Sequence, residues 1–204
     1  ERPFFLYLPH YTVHTPIQSK KQKQAKYAAK VTPDMKQTRA DYAAMIESLD
    51  ESVGTIVNGL EAAGVAKRTI IFFTSDNGGL VLGRPPVTDN SPLRVGKGSA
   101  YEGGVRVPLI VKWPGVIAPG SRSSEPVISV DYFPTIAEMA KVRAPLPANV
   151  DGLSLVPVLK GAASLGREAI FWHYPHYHPG GATPYSAMRA GDYRLVQFYE
   201  ELEG

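Results

Sequence analysis

Cysteine is absent from this sequence, which excludes disulfides, thiolate metal sites and a cysteine nucleophile within these residues but leaves the compartment open. Long apolar runs are missing too. No stretch approaches the roughly 18 uninterrupted apolar residues of a membrane span. The first residues lack the charged, apolar and small-residue zones of a signal peptide, an absence without weight if the chain starts inside a longer protein. Excess charge of one sign is slight: a formal net charge of +3 over 204 residues is compatible with anionic partners but does not mark a nucleic-acid binder, and no RNA or DNA motif is visible. What is present is ordinary for a packed protein. With 44% hydrophobic and 20% charged residues, the composition is far from that of a disordered chain. The length suits one sizeable domain, or one domain with a small appendage.

Along the chain, residues 3–8 (Pro-Phe-Phe-Leu-Tyr-Leu) read as a buried strand. A natural chain seldom opens inside its core, so an N-terminal portion of the parent protein is expected to precede this one. His10 and His14-Thr15-Pro16 follow, then the basic run 19–26, which reads as a solvated loop or helix face. From 39 to 63, Tyr42, Met45, Ile46, Leu49, Val53, Ile56, Val57 and Leu60 recur at intervals of three and four, one stripe of an amphipathic helix ended by Gly64. The β-branched and aromatic run 69–75 reads as a strand buried on both faces, so helix and strand form part of a βα unit in a parallel or mixed sheet. A second buried strand is expected at 107–113, after a long Gly/Pro/Asn-rich segment at 78–106 of the kind that is functional or mobile in compact domains. Residues 127–130 read as a short strand, with Asp131 placed to cap a helix through Met139. The Pro-rich stretch 143–150 marks a subdomain boundary. Beyond it, 153–159 reads as a short helix, 169–172 as a strand, and 185–199 as two strands joined near Gly191-Asp192, together a small antiparallel sheet.

The chemistry-bearing residues gather at the end of the 69–75 strand. Asp76-Asn77-Gly78-Gly79 is displayed where open α/β sheets place their sites, and Gly96-Lys97-Gly98 follows about twenty residues later. A carboxylate oxygen beside an amide oxygen suits a hard divalent cation, and a nearby lysine can hold an anionic substrate against it. The same residues read equally as a plain Asp-Asn-Gly turn with a solvated lysine beyond. Glu102 and Arg106 are expected to form an ion pair that shapes the lysine loop. The segment from Trp172 to His178 alternates histidine with aromatics. It reads as a strand end with packed rings, as a wall for a sugar ring, or, less readily because proline interrupts it, as a histidine metal site.

Taken in order, residues 2–7, His14-Thr15-Pro16, Leu49-Asp50-Glu51-Ser52-Val53-Gly54, Thr74-Ser75-Asp76-Asn77-Gly78, Gly96-Lys97-Gly98, Tyr101-Glu102-Gly103-Gly104-Val105-Arg106-Val107-Pro108, Trp113-Pro114-Gly115 and Asp131-Tyr132-Phe133-Pro134-Thr135 resemble the formylglycine-dependent sulfatases. The resemblance continues through residues 151–155 and 186–195 and so covers essentially the whole chain. It implies an alkaline-phosphatase-like α/β fold with a mixed, largely parallel sheet flanked by helices. Residues 1–145 would be the C-terminal part of the catalytic domain, and 146–204 a small antiparallel α+β subdomain. It further implies hydrolysis of a sulfate ester on a carbohydrate or related molecule, one calcium ion held in part by Asp76 and Asn77, and Lys97 and His14 at the sulfate. Either of these two could help protonate the leaving group. His176 is the candidate on the substrate-entrance side, whereas His10 has no counterpart and is structural or peripheral. Location in the periplasm or outside the cell is implied by the resemblance alone.

The same resemblance exposes what this sequence does not hold. The pair of acidic residues that supplies further calcium ligands, the C/S-x-P-x-R motif converted to formylglycine, and the Gly-Lys-Trp-His segment are all missing from these residues. The chain therefore reads as the C-terminal portion of a sulfatase. Two other readings stand beside it: a phosphodiesterase or phosphonate hydrolase of the same fold, and a noncatalytic sulfatase-like binding module. Asn77 speaks against the first, since a transition-metal site would favour histidine after the aspartate.

Overall fold

A computed structural model describes residues 2–83, 86–179 and 181–200. The N-terminal stretch is the first departure from expectation. Residues 3–8 have no regular secondary structure and join no ladder, and Phe4, Phe5, Leu6, Tyr7 and Leu8 are all exposed. Apolar, β-prone residues make a strand only when a neighbour takes up their N–H and C=O groups, and no described strand lies beside them.

Helix α1 (Lys21–Ala28) carries the basic run and has no buried residue. It is held to helix α2 (Ala40–Ala62) by polar contacts: Lys26 to Glu47 at 3.0 Å, Lys23 to Glu51 at 2.5 Å, and Lys23 to the Ser48 hydroxyl at 3.2 Å. Asp41 in the first turn of α2 accepts from Arg39 and from the Tyr42 N–H, satisfying donors the helix start leaves free. The helix closes with Gly64 N–H on the Glu61 carbonyl (2.9 Å) and Val65 N–H on the Leu60 carbonyl (3.0 Å), the paired bonds of a Schellman ending.

Strand β1 (Ile71–Thr74) follows, then the short helix α3 (Glu102–Val105) and strand β2 (Leu109–Lys112). The two strands pair antiparallel, Ile71 opposite Lys112 and Thr74 opposite Leu109. Every β1 residue is half-buried, not fully covered as its apolar run suggests. Pairing among the described strands is antiparallel throughout. The parallel neighbour that a βα unit implies for β1 is not among these pairs.

After β2 the chain reaches a single helical turn at Ser129–Asp131, where a strand is expected, and then helix α4 (Tyr132–Met139). Asp131 does precede α4, but its side chain makes no cap bond there. It turns back to the Ile128 N–H (2.9 Å), reaches forward to the Leu153 N–H (2.9 Å), and pairs with Arg167. Fully buried at 0% exposure, the carboxylate gains more from three partners than from one helix N–H. Below it, Thr135 donates to the Asp131 carbonyl (2.6 Å) and accepts from the Leu155 N–H (2.8 Å). These bonds seat helix α5 (Val156–Leu159) beside α4.

The C-terminal residues form the small antiparallel sheet expected of them: β3 (Ile170–Tyr174), β4 (Tyr185–Ala190) and β5 (Tyr193–Phe198), in that spatial order. Period-two alternation sorts its faces. Tyr185 and Ala187 turn inward with Trp172, Tyr174, Val196 and Phe198, and all pack with Ala100 of the loop before α3. Phe171, Tyr193 and Leu195 face outward. The expected cut near residue 146 is thus crossed by packing and by the Asp131–Arg167 pair.

Candidate active site

The described parts of segment 78–106 are not slack. Gly78 N–H donates to the Gly104 carbonyl (2.9 Å), Gly103 N–H to the Arg94 carbonyl (2.9 Å), and Thr88 N–H to the Leu80 carbonyl (3.1 Å). These bonds fold the segment back on itself, so β1's end, the lysine loop and α3 make one tightly packed unit. The Asp-Asn-Gly-Gly and Glu-Gly-Gly runs are what allow it. A Cβ at Gly78 would sit 1.7 Å from the Gly103 carbonyl oxygen, so backbone meets backbone with no room for a side chain.

Within this unit Lys97 N–H donates to the Gly79 carbonyl (3.0 Å), three residues beyond Asp76. The Asn90 amide supports the same point from the side, donating to the Gly79 carbonyl (2.9 Å) and the Val95 carbonyl (3.1 Å). The Asp76 turn is braced below as well. Ser75 Oγ donates to the Asn77 carbonyl (2.9 Å), Thr74 Oγ1 to the Pro108 carbonyl (3.0 Å), and the Tyr132 hydroxyl to Thr74 Oγ1 (3.3 Å). Asp76 is exposed, Asn77 and Lys97 half-buried. Neither the Asp76 carboxylate nor the Lys97 ammonium has a hydrogen-bond or ion-pair partner among the described residues.

Two side chains that sequence reasoning did not assign to the site reach this loop. The His178 ring lies over Gly98, where φ is +81° and an added Cβ would come within 2.3 Å of His178 Nδ1. Arg194 of β5 donates through Nε to the Ala100 carbonyl (2.8 Å) and through Nη1 to Glu102 Oε1 (3.2 Å), and its guanidinium stacks over Trp172 at 4.5 Å. The Glu102–Arg106 pair exists at 3.6 Å, but Arg106 is mostly exposed. Arg194 is the closer and more buried partner of Glu102. Arg194 lies within the 186–195 stretch that carries the resemblance, which gives it no role, whereas His178 lies in a segment conspicuous for its rings.

The remaining candidates lie elsewhere. His14 is exposed, bonds through Nδ1 to the Thr15 carbonyl (2.9 Å) and meets the Tyr11 ring edge-on at 5.6 Å. Its contacts are local, and none joins it to Asp76 or Lys97. His176 packs edge-on against Tyr174 (5.4 Å), which His178 also meets (6.4 Å), so one tyrosine backs both imidazoles. His173 points away, to Ser186 Oγ (3.1 Å) and the Tyr199 hydroxyl (2.9 Å). His173 is thus separated from the Tyr174 ring that backs the other two. Among the described residues no group of three or more His, Cys, Asp or Glu side chains gathers in metal-binding fashion.

This order of elements and loops is shared with known proteins. The sulfatase family model matches residues 1–142, and that of the N-sulphoglucosamine sulphohydrolase C-terminal region matches residues 95–204. The chain belongs to the sulfatase family. A sulfatase of Formosa agariphila is 41% identical over 98% of this chain and 39% of its own length. Human arylsulfatase A is 36% identical over 97% of the chain and 36% of its own length. Among solved structures, Ps i-CgsB in complex with k-i-k-neocarrahexaose superposes with a TM-score of 0.83 at 31% identity, covering 98% of this chain and 42% of that one. A second, in complex with its substrate D-glucosamine-2-N,6-O-disulfate, has a TM-score of 0.67 at 31% identity, covering 90% of this chain and 37% of that one. The fold of this sulfatase chain is therefore alkaline-phosphatase-like α/β, ending in a small antiparallel sheet. The chain spans well under half the length of these relatives.

Proposed function

We propose that the protein carrying this chain is a sulfuric-ester hydrolase acting on a sulfated carbohydrate, with Asp76, Asn77 and Lys97 in its reaction centre. The observation that carries this reading is the Lys97 N–H bond to the Gly79 carbonyl, at 3.0 Å. It ties a candidate sulfate-binding cation to the turn bearing the candidate metal ligands. The glycan class is suggested by the relatives, one solved with k-i-k-neocarrahexaose and another with D-glucosamine-2-N,6-O-disulfate. We further take residues 1–145 as part of the catalytic domain and 146–204 as a subdomain. Location in the periplasm or outside the cell is part of the same proposal; among the described residues no helix is long and apolar enough to cross a membrane.

The donor set suits the calcium ion that the family implies. A carboxylate and an amide oxygen are hard donors, and the Asp76 carboxylate is not engaged by any described neighbour. Asp76 and Asn77 would hold the ion in part, the remaining donors coming from outside these residues. Calcium, when bound, supplies fixed positive charge beside the sulfate. Lys97 would add a mobile ammonium near the bridging oxygen, where negative charge builds as the ester bond breaks. As an acid it could also deliver a proton to that oxygen, a task for which His14 is the alternative donor. Its backbone tether matters here, since a cation on a four-carbon stem helps the reaction only when its root is fixed. His176 and its Tyr174 backing would meet the sugar beyond the sulfate.

The test is made on the full-length protein. Asp76→Ala should abolish calcium binding measured by titration calorimetry, and aryl-sulfate turnover with it, while near-UV circular dichroism is unchanged. Lys97→Ala should lower kcat/KM about 100-fold or more, the usual loss when one preorganised charge-stabilising group is removed. Survival of both calcium binding and turnover in Asp76→Ala would refute the assignment.

A further inference from the structure

We infer that Arg194 and His178, both carried by the C-terminal sheet and its β3–β4 loop, are positioning residues for Lys97. The inference rests on the reading of Lys97 given above and adds to it the part of the molecule that sets the lysine's place. The loop from Gly96 to Glu102 is held at its start by the Gly79 carbonyl on Lys97 N–H. One residue on, the His178 ring fills the space over Gly98 that any other residue would need for its Cβ. Two residues further, Arg194 grips the Ala100 carbonyl with Nε (2.8 Å) and Nη2, and through Nη1 takes Glu102 at 3.2 Å.

The chemistry of Arg194 marks it as a clamp and not a substrate ligand. Its side chain is only 12% exposed. One face lies over Trp172, and its forked donors are directed at a main-chain oxygen and a carboxylate. Burial holds its pKa below that of a free guanidinium, Glu102 acting in the opposite sense. A buried cation with these partners has little left to offer a sulfate. Ala100 beneath it is 2% exposed and packs on Tyr185 and Ala187, so the loop cannot shift without moving the sheet. His178 is steadied from its own side by its N–H bond to the Ala182 carbonyl (2.9 Å) and by the Tyr174 ring. Lys97 thus sits between a tether to the catalytic turn and two contacts to the C-terminal sheet. Misplacement of a reacting group by about 1 Å can cost on the order of 100-fold in rate, so the clamp bears on turnover without touching substrate.

A double-mutant cycle in the full-length enzyme separates this from a merely structural role. Arg194→Lys keeps the charge but loses the fork, and His178→Ala empties the space over Gly98. Each should lower kcat for an aryl sulfate about 10-fold or more, with KM changed less than about threefold and calcium affinity by titration unchanged. In a Lys97→Ala background, the same substitutions should change kcat less than about twofold, because the group they position is gone. If Arg194→Lys fails to fold, Glu102→Gln and His178→Ala are judged by the same criteria. Full multiplicative losses in the Lys97→Ala background, or unchanged kcat in the single variants, would overturn the inference and leave the proposed function standing. An unimpaired Lys97→Ala would instead remove the reading on which it rests.

Discussion

Replacing Asp131 with Asn should destabilise the protein more than any surface substitution, although the two side chains have nearly the same shape. Each carboxylate oxygen of Asp131 receives one backbone N–H and one guanidinium N–H. Oδ2 takes Ile128 N–H (2.9 Å) and Arg167 Nη1 (2.9 Å); Oδ1 takes Leu153 N–H (2.9 Å) and Arg167 Nη2. Whichever way the Asn amide is turned, its NH2 group faces two donors and satisfies neither. The Arg167 side chain, 13% exposed, is also left without its counter-charge. Breaking a buried pair on one side costs about 3–5 kcal/mol, and an orphaned buried donor about 1–3. The two penalties overlap, so a loss of about 4 kcal/mol is expected. That is a large fraction of the roughly 5–15 kcal/mol by which domains are stable. With a slope of about 3 kcal/mol per molar urea, the unfolding midpoint of the full-length protein should fall by roughly 1 M. Asp131→Asn combined with Arg167→Met should regain more than half of that, since removing both partners removes the unpaired charge. A midpoint within about 0.3 M of the parent in the single variant would refute the argument. Turnover should weaken only near the transition, because among the described residues Asp131 reaches the Asp76 turn indirectly, through α4 and the contacts of Tyr132 with Thr74 and Phe72.

Two further outcomes are expected. His176→Ala should alter selectivity among sulfated sugars more than it alters hydrolysis of a small aryl sulfate, and equal losses on both substrates would assign it a structural role. The purified 204-residue chain, supplied with calcium, should show no sulfatase turnover beside the full-length protein, because two oxygen donors fall short of the usual six to eight and no C/S-x-P-x-R motif lies in this sequence; calcium-dependent activity near the parent rate would overturn that.

Elements whose signal is local were legible in the sequence. The three-and-four spacing from Tyr42 to Leu60 gave α2 to within a residue at each end, and the Gly191-Asp192 turn separated β4 from β5. Elements that depend on a neighbour were not. Residues 3–8 have the composition of a strand but no described partner, and 127–130 yields to the pull of Asp131 on the Ile128 N–H, which bends the backbone into a helical turn. The apolar run of β1 suggests two covered faces, yet a run cannot say which neighbours the chain itself supplies. For the candidate site, motif order singled out Asp76, Asn77 and Lys97. What ties their segments together, a main-chain bond from Lys97 to Gly79, uses atoms common to every residue and leaves no mark on the sequence.

The distribution of contacts around the Asp76 turn explains why one family motif after another falls in this stretch of chain. Three separate segments end on it: α4 through Tyr132 and Thr74, the α3 turn through Gly104 and Gly78, and the lysine loop through Gly79. Two of the three use main-chain atoms at glycines, where close approach forbids a side chain on at least one partner. Backbone-to-backbone contact of this kind is stiffer than contact between long side chains, because no rotamer change can relax it. The C-terminal sheet then adds a side-chain clamp on the lysine loop, through Arg194 and His178. A change in that sheet acts on the lysine loop directly and on the Asp76 turn only by way of α3, so a larger loss of turnover than of calcium binding is the signature to look for in β5 variants.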